Sequence, residues 1–159
     1  MKTRTITIPK KDVLFDVDSV THLFARANEA QDLRRADAIG SDSEELFDVQ
    51  VITRFTDRRA AELRDLMSKF LVSETSSSHT VSISTEENYV FTLQVEDAFQ
   101  DELLASLGDE MESYIATGAE ADWYMSVGSQ QGTVYANMLP SKLNTIVSYI
   151  VNRKIPARV

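Results

Sequence analysis

Two histidines, a run of serines and a surplus of carboxylates are the side chains from which a reaction could be built, and their spacing argues against each. His22 and His79 lie 57 positions apart, one in a helical pattern and one in a serine-rich stretch, and neither sits at a metal-ligand spacing to an obvious partner. Ser76-Ser77-Ser78-His79 places serines beside a histidine in sequence alone, whereas a nucleophile needs a strained turn and an oriented base. Asp109, Glu110 and Glu112 offer carboxylates for general acid–base work, yet acids crowded along a helix form a solvated face. Asp16 and Asp18 open like a calcium loop, but the turn glycine and the closing bidentate glutamate are missing at the proper offsets.

Whole classes of chemistry fall away with the composition. There is no cysteine, hence no disulfide framework, thiolate nucleophile or cysteine-based zinc site. The five glycines form neither a GxGxxG nor a GK[ST] phosphate loop, so nucleotide hydrolysis is not expected. The expectation is a protein that is not an enzyme and holds no cofactor and no metal.

Charge layout is the more informative feature. Lys2, Arg4, Lys10 and Lys11 stand in residues 1–11 with no acid, and Arg153, Lys154 and Arg158 stand in residues 153–159 with no acid. Setting aside those seven bases leaves nine against all twenty-five acids, a net −16 across residues 12–152. Such a surface repels phosphates and anionic lipid, because binding there rests on releasing counterions to Lys and Arg. No specific nucleic-acid binding is expected. Nor is a membrane partner, since no apolar run approaches the roughly 18 residues of a spanning helix and the N-terminus lacks the apolar core of a signal peptide.

These groups must be carried by elements that the periodicity outlines. At 159 residues, with 43% apolar and 26% charged side chains, the chain is long and hydrophobic enough for one packed domain. Thr3-Arg4-Thr5-Ile6-Thr7-Ile8 alternates and is β-branched, an extended arm that Pro9 stops. Val17, Val20, Phe24 and Ala27 recur at helical spacing in a helix expected to begin at Asp16 or Asp18 and to close at Gly40. Ser41-Asp42-Ser43 supplies cap candidates for a long second helix through Leu63, Met67 and Leu71. Arg54, Arg58, Arg59 and Arg64 recur about once per turn in it and are expected to pair with neighbouring acids. Residues 80–95, with Tyr89 and Phe91 in the second run, read as a β-hairpin. Two strands alone are marginal in water, so the hairpin must pack on a helix, pair with the arm or project into a neighbour. A third helix runs from Asp97 past Gly118 to Val127, and a fourth carries Tyr135 to Val151, with Pro140 marking a kink or a restart. The fold class is mainly α: a bundle of about four helices with one β-hairpin and an extended N-terminal arm. Its parts are a basic arm at 1–11, helical halves at 16–72 and 97–153, the hairpin at 80–95 and a basic tail at 154–159.

Trp123, the one tryptophan, is either a packing anchor or an interface hot spot. The stretch Tyr89-Val-Phe-Thr-Leu-Gln-Val-Glu-Asp-Ala-Phe, the leucine-rich helix through Glu112-Ser-Tyr-Ile, and Ala121-Asp-Trp-Tyr-Met-Ser-Val together resemble small proteins encoded in the structural-gene regions of tailed phages and prophages of gut bacteria. Gly118 departs from the long helix of those proteins. The resemblance spans roughly residues 80–130 and implies a head–tail connector, adaptor or tail-completion subunit, with no catalytic residues to carry over. It implies a homo-oligomeric ring, portal or tail subunits as neighbours, and a place in a virion assembled in the host cytoplasm. The alternative is an acidic adaptor or decoy that captures a basic partner. In the connector reading Lys10, Lys11, Arg153, Lys154 and Arg158 are expected to act as clasps, with Tyr89, Phe91, Asp109, Glu112 and Trp123 as the surface that receives them. Removing residues 153–159, or reversing Lys10 and Lys11, is then expected to weaken assembly and leave the fold intact.

Overall fold

The computed structural model describes residues 1–27, 45–72 and 87–152. Alternation makes the sheet. In β1 (Lys2–Pro9) the threonines Thr3, Thr5 and Thr7 face out while Ile6 and Ile8 are buried, and in β2 (Asn88–Val95) Tyr89, Phe91, Leu93 and Val95 turn inward. The strands pair antiparallel from Lys2↔Val95 to Pro9↔Asn88. The arm is thus the partner of the strand at 89–95, and the other run of the expected hairpin, at 80–85, lies outside the described residues. Leu93 pairs with Arg4 on one edge and bridges to Leu71 on the other, where the Val72 N–H donates to Thr92 O at 2.9 Å.

Helix α1 (Lys10–Ala27) starts six residues before Asp16. Pro9 ends the strand, and the Lys10 N–H donates to Glu87 O at 3.0 Å, so the chain passes from ladder to helix without a loop. Val13 and Val17 are fully buried, and Val20 and Phe24 pack against the core from the same face. Helix α2 (Glu45–Leu66) runs unbroken through Thr56 and Asp57. Its inner stripe is Ile52, Thr56, Ala60 and Leu63, and Met67 and a 3₁₀ turn at Ser68–Phe70 lead back to the sheet.

Helix α3 (Leu104–Ser126), entered through a 3₁₀ turn at Asp101–Leu103, is the axis of the molecule and packs on α1, on α2, on α4 and on β1. From Tyr114 to Ala121 it is buried all round, as a central helix must be. Gly118 does not interrupt it. A Cβ there would lie 2.7 Å from Arg59 Cδ, so the glycine makes room for the Arg59 side chain lying across the helix. Gly128, at φ 73°, turns the chain after α3 into α4 (Gln131–Val151), which continues through an exposed Pro140. Gly132 lets α4 close on α3, since a Cβ there would lie 2.6 Å from Met125 Cγ. Among the described residues, four helices and a two-stranded antiparallel sheet, with an N-terminal strand, are the mainly α class read from the sequence.

Candidate interaction surfaces

Several residues expected on the outside are interior. Lys10 is 7% exposed, and its Nζ meets Asp57 Oδ1 at 2.6 Å, while the Tyr89 hydroxyl donates to the same carboxylate at 2.7 Å. Burial pushes the Tyr89 phenol far above its usual range. Phe91 is buried in the core, and Trp123 packs edge-on to Phe24 at 6.0 Å and to Tyr124 at 5.1 Å between centroids. The Trp123 Nε1–H has no acceptor among the described residues. Lys10, Tyr89, Phe91 and Trp123 therefore hold this chain together and do not present a docking surface, because each lies where α1, α2, β2 or α3 converge.

The arm is likewise fastened to its own chain. Arg4 forks onto Asp101 through Nε at 2.8 Å and Nη2 at 2.7 Å, and Lys2 Nζ lies 3.1 Å from the same carboxylate. The hydrogen bonds from Arg4 and then Lys2 hold Asp101 far below the usual carboxylate range. Of the bases in residues 1–11, Lys11 is the one that is exposed and makes no ion pair among the described residues. A second internal network, Arg59 on Asp122 at 2.6 and 2.9 Å and on Glu62 at 2.6 Å, joins α2 to α3 over Gly118. Arg59 does pair with neighbouring acids.

The acids expected to receive a partner are placed differently. Asp109 is exposed and Glu112 half-buried, and both line an open groove of about 540 Å³ between α1 and α3. Phe15, Asp16, Ser19 and Val20 form its α1 side; Asp109, Glu112, Ser113, Ala116, Thr117 and Glu120 form its α3 side. Helical spacing sets the wall, because positions 109, 112, 113, 116 and 120 recur at three or four residues. Lys142 reaches across from α4 to donate to Ser113 Oγ at 2.7 Å. Glu120 is 6% exposed and has no hydrogen bond or ion pair among the described residues. Burial, and then Asp16, push its carboxyl up to about 7, with Lys142 opposing. Glu112 is raised by burial and by Asp16, Asp12 and Asp109. The groove is a set of carboxylates pressed together against their mutual repulsion. Among the described residues no three His, Cys, Asp or Glu side chains converge on a metal position.

Asp16 and Glu120 escaped the sequence reading, the first because it was weighed as a calcium ligand and a helix start, the second because it stands apart from the cluster at 109–112. The signal was present in the helical spacing of both, and the crossing of α1 on α3 was needed to join them. Arg153, Lys154 and Arg158 lie outside the described residues.

A second surface was not anticipated. The exposed side of α4 includes Thr133, Val134, Asn137, Met138, Pro140, Ser141, Asn144, Ser148 and Val151, without one charged side chain. The helix has a single charge, Lys142, and it is turned inward onto Ser113. Val134 is 55% exposed and Met138 46%. In a chain with 26% charged residues, an exposed charge-free helix face has the composition of an interface centre, where charge is depleted and Met is enriched. No described helix is long and apolar enough to cross a membrane.

No family model, curated protein or solved structure matches this chain.

Proposed function

We propose that this chain is a non-enzymatic structural subunit that assembles with copies of itself through the outer face of α4, as a ring-forming head–tail connector or adaptor of a tailed-phage virion. The charge-free face of α4 carries the reading. Two copies of a body with net −16 over residues 12–152 repel one another over most approaches, and this face lets them meet without opposing carboxylates. The interior placement of the ion pairs supports it too, since Lys10–Asp57 and Arg59–Asp122 tie elements together. The phage setting, with portal or tail subunits as neighbours and assembly in the host cytoplasm, rests on the resemblance over residues 80–130.

Sedimentation of the purified chain over a range of concentrations tests the assembly. The chain is expected to form a defined oligomer, and Val134→Glu with Met138→Glu is expected to leave a monomer with unchanged circular dichroism. A wild-type monomer at every concentration, or an oligomer indifferent to the double variant, overturns the reading. The acidic groove favours a second reading, an adaptor that captures a basic protein, and a monomer that binds a basic partner in a salt-sensitive way is its mark.

A further inference from the structure

The groove between α1 and α3 is more than a solvated acidic face, because its floor is incomplete. Glu120 is 94% buried, on a 6% residual exposure, lines the groove, and finds no donor among the described residues. Thr117, beside it and 7% exposed, has no hydrogen-bond partner there either. The buried polar atom without a partner among the described residues is Trp123 Nε1, so the Glu120 oxygens open onto the groove, where a donor arriving from outside can reach them. The surrounding charge says which donor. Asp16, Asp109 and Glu112 ring the mouth, and Phe15, 71% exposed at its rim, offers a ring face on which a guanidinium stacks.

Resting on the assembly reading above, we propose that this groove seats residues 153–159 of a neighbouring copy, with Arg153 and Lys154 at one end of the acidic wall and Arg158 at the other. The segment carries three bases and no acid. Its spacing fits: from Arg153 or Lys154 to Arg158 is four or five residues, about 13–17 Å when extended, and Asp109 to Glu120 is eleven helical residues, about 16 Å. The donor is a neighbour because α4 ends at Val151, far from Glu120 along α3. With Gly132 against Met125 and Lys142 against Ser113, α4 runs back along α3 and Asn152 comes level with Leu104. Glu120 is sixteen residues beyond that point, about 24 Å along α3, whereas Arg153 through Arg158 extend at most about 21 Å. To bring Arg158 to Glu120 the chain's own segment would have to run fully stretched. A segment from a second copy meets no such constraint.

Charge exchange between two full-length variants tests this. Arg153→Glu with Lys154→Glu, and separately Asp109→Lys with Glu112→Lys, are each expected to weaken self-association at least tenfold, and an equimolar mixture is expected to recover it. Asp109 is exposed and Glu112 half-buried, and circular dichroism of each variant checks the fold. Self-association at wild-type strength in both variants overturns the proposal, and if Val134→Glu with Met138→Glu still yields a monomer the assembly reading survives that failure. A synthetic peptide of residues 153–159 supplies the second arm, titrated onto the Val134→Glu, Met138→Glu chain by fluorescence anisotropy. Binding weakened at least tenfold by Glu120→Gln supports the proposal. Equal binding to both overturns the assignment of Glu120. Binding that tightens tenfold when residues 153–159 are deleted shows that a chain's own segment fills its groove, and overturns the assignment to a neighbour.

Discussion

At Glu120 the sign of an electrostatic effect can be worked out in full. Its carboxyl is pushed from 4.5 to about 7, by burial first and by Asp16 on α1 next, against Lys142 on α4. Glu112, on α3, adds acid to the same wall. An acid held neutral by the fold loses protons more readily when unfolded, so stability falls as pH rises from about 4.5 to about 7 and is level above that. Urea midpoints of the wild type are expected to show that fall, and those of Glu120→Gln to show much less of it. A parallel decline in the variant means that the carboxylate ionises freely where it stands. Gly118 gives a second test. Alanine is favoured over glycine in a helix by about 1 kcal/mol, yet its Cβ would be driven to 2.7 Å from Arg59 Cδ, beneath the fork on Asp122. Overpacking costs about 1–3 kcal/mol, so Gly118→Ala is expected to be net destabilising in chemical denaturation. A more stable variant means that Arg59 moves aside freely. Nothing in the sequence links Gly118 to Arg59, which is why the glycine read only as a departure from a helix.

Elements were legible where their signal was local. The apolar periods at 17, 20 and 24, at 63 and 67, at 107, 111 and 115, and at 139, 143, 146 and 150 were all readable, and α1, α2, α3 and α4 follow them. The junctions were less so. A strand such as β1 can be seen, but its pairing with β2 some eighty residues on leaves no pattern in either segment, and the two runs at 80–95 supplied a nearer partner. The start of α1 was misplaced for a related reason: the bases at 10 and 11 read as one free cluster, whereas the first turn of the helix sends them to opposite sides. Lys10 faces Asp57 at 2.6 Å and Lys11 faces solvent. Reversing the two together was expected to leave the fold intact, and the structure separates them. Lys10→Glu leaves the buried Asp57 carboxylate facing another acid and is expected to cost about 3–5 kcal/mol, and Lys11→Glu to stay within about 0.5 kcal/mol. Thermal unfolding of the two single variants checks the contrast, and equal loss from both would falsify the burial of the Lys10–Asp57 pair.

Across the whole molecule, the acidic body and the proposed contacts respond to salt in opposite directions. Like-charge repulsion between bodies of net −16 over residues 12–152 is screened as the Debye length shortens from roughly 10 Å at 0.1 M to roughly 3 Å at 1 M, which favours contact through the charge-free face of α4. The same screening weakens any pairing of Arg153, Lys154 and Arg158 with the carboxylates of the groove. In the full chain the pairings at the exposed mouth of the groove, those on Asp109 among them, are open to salt and at contact distance outweigh the repulsion between the bodies, so self-association is expected to fall as salt rises. Deleting residues 153–159 removes the attractive component and leaves the repulsive one. The shortened chain is therefore expected to associate weakly at low salt and more strongly at high salt, a reversal in the sign of the salt dependence. Sedimentation of both chains across one salt series measures it. The reversal separates this account from a solubilising role for the acids, because charge that serves only solubility gives both chains the same rising trend.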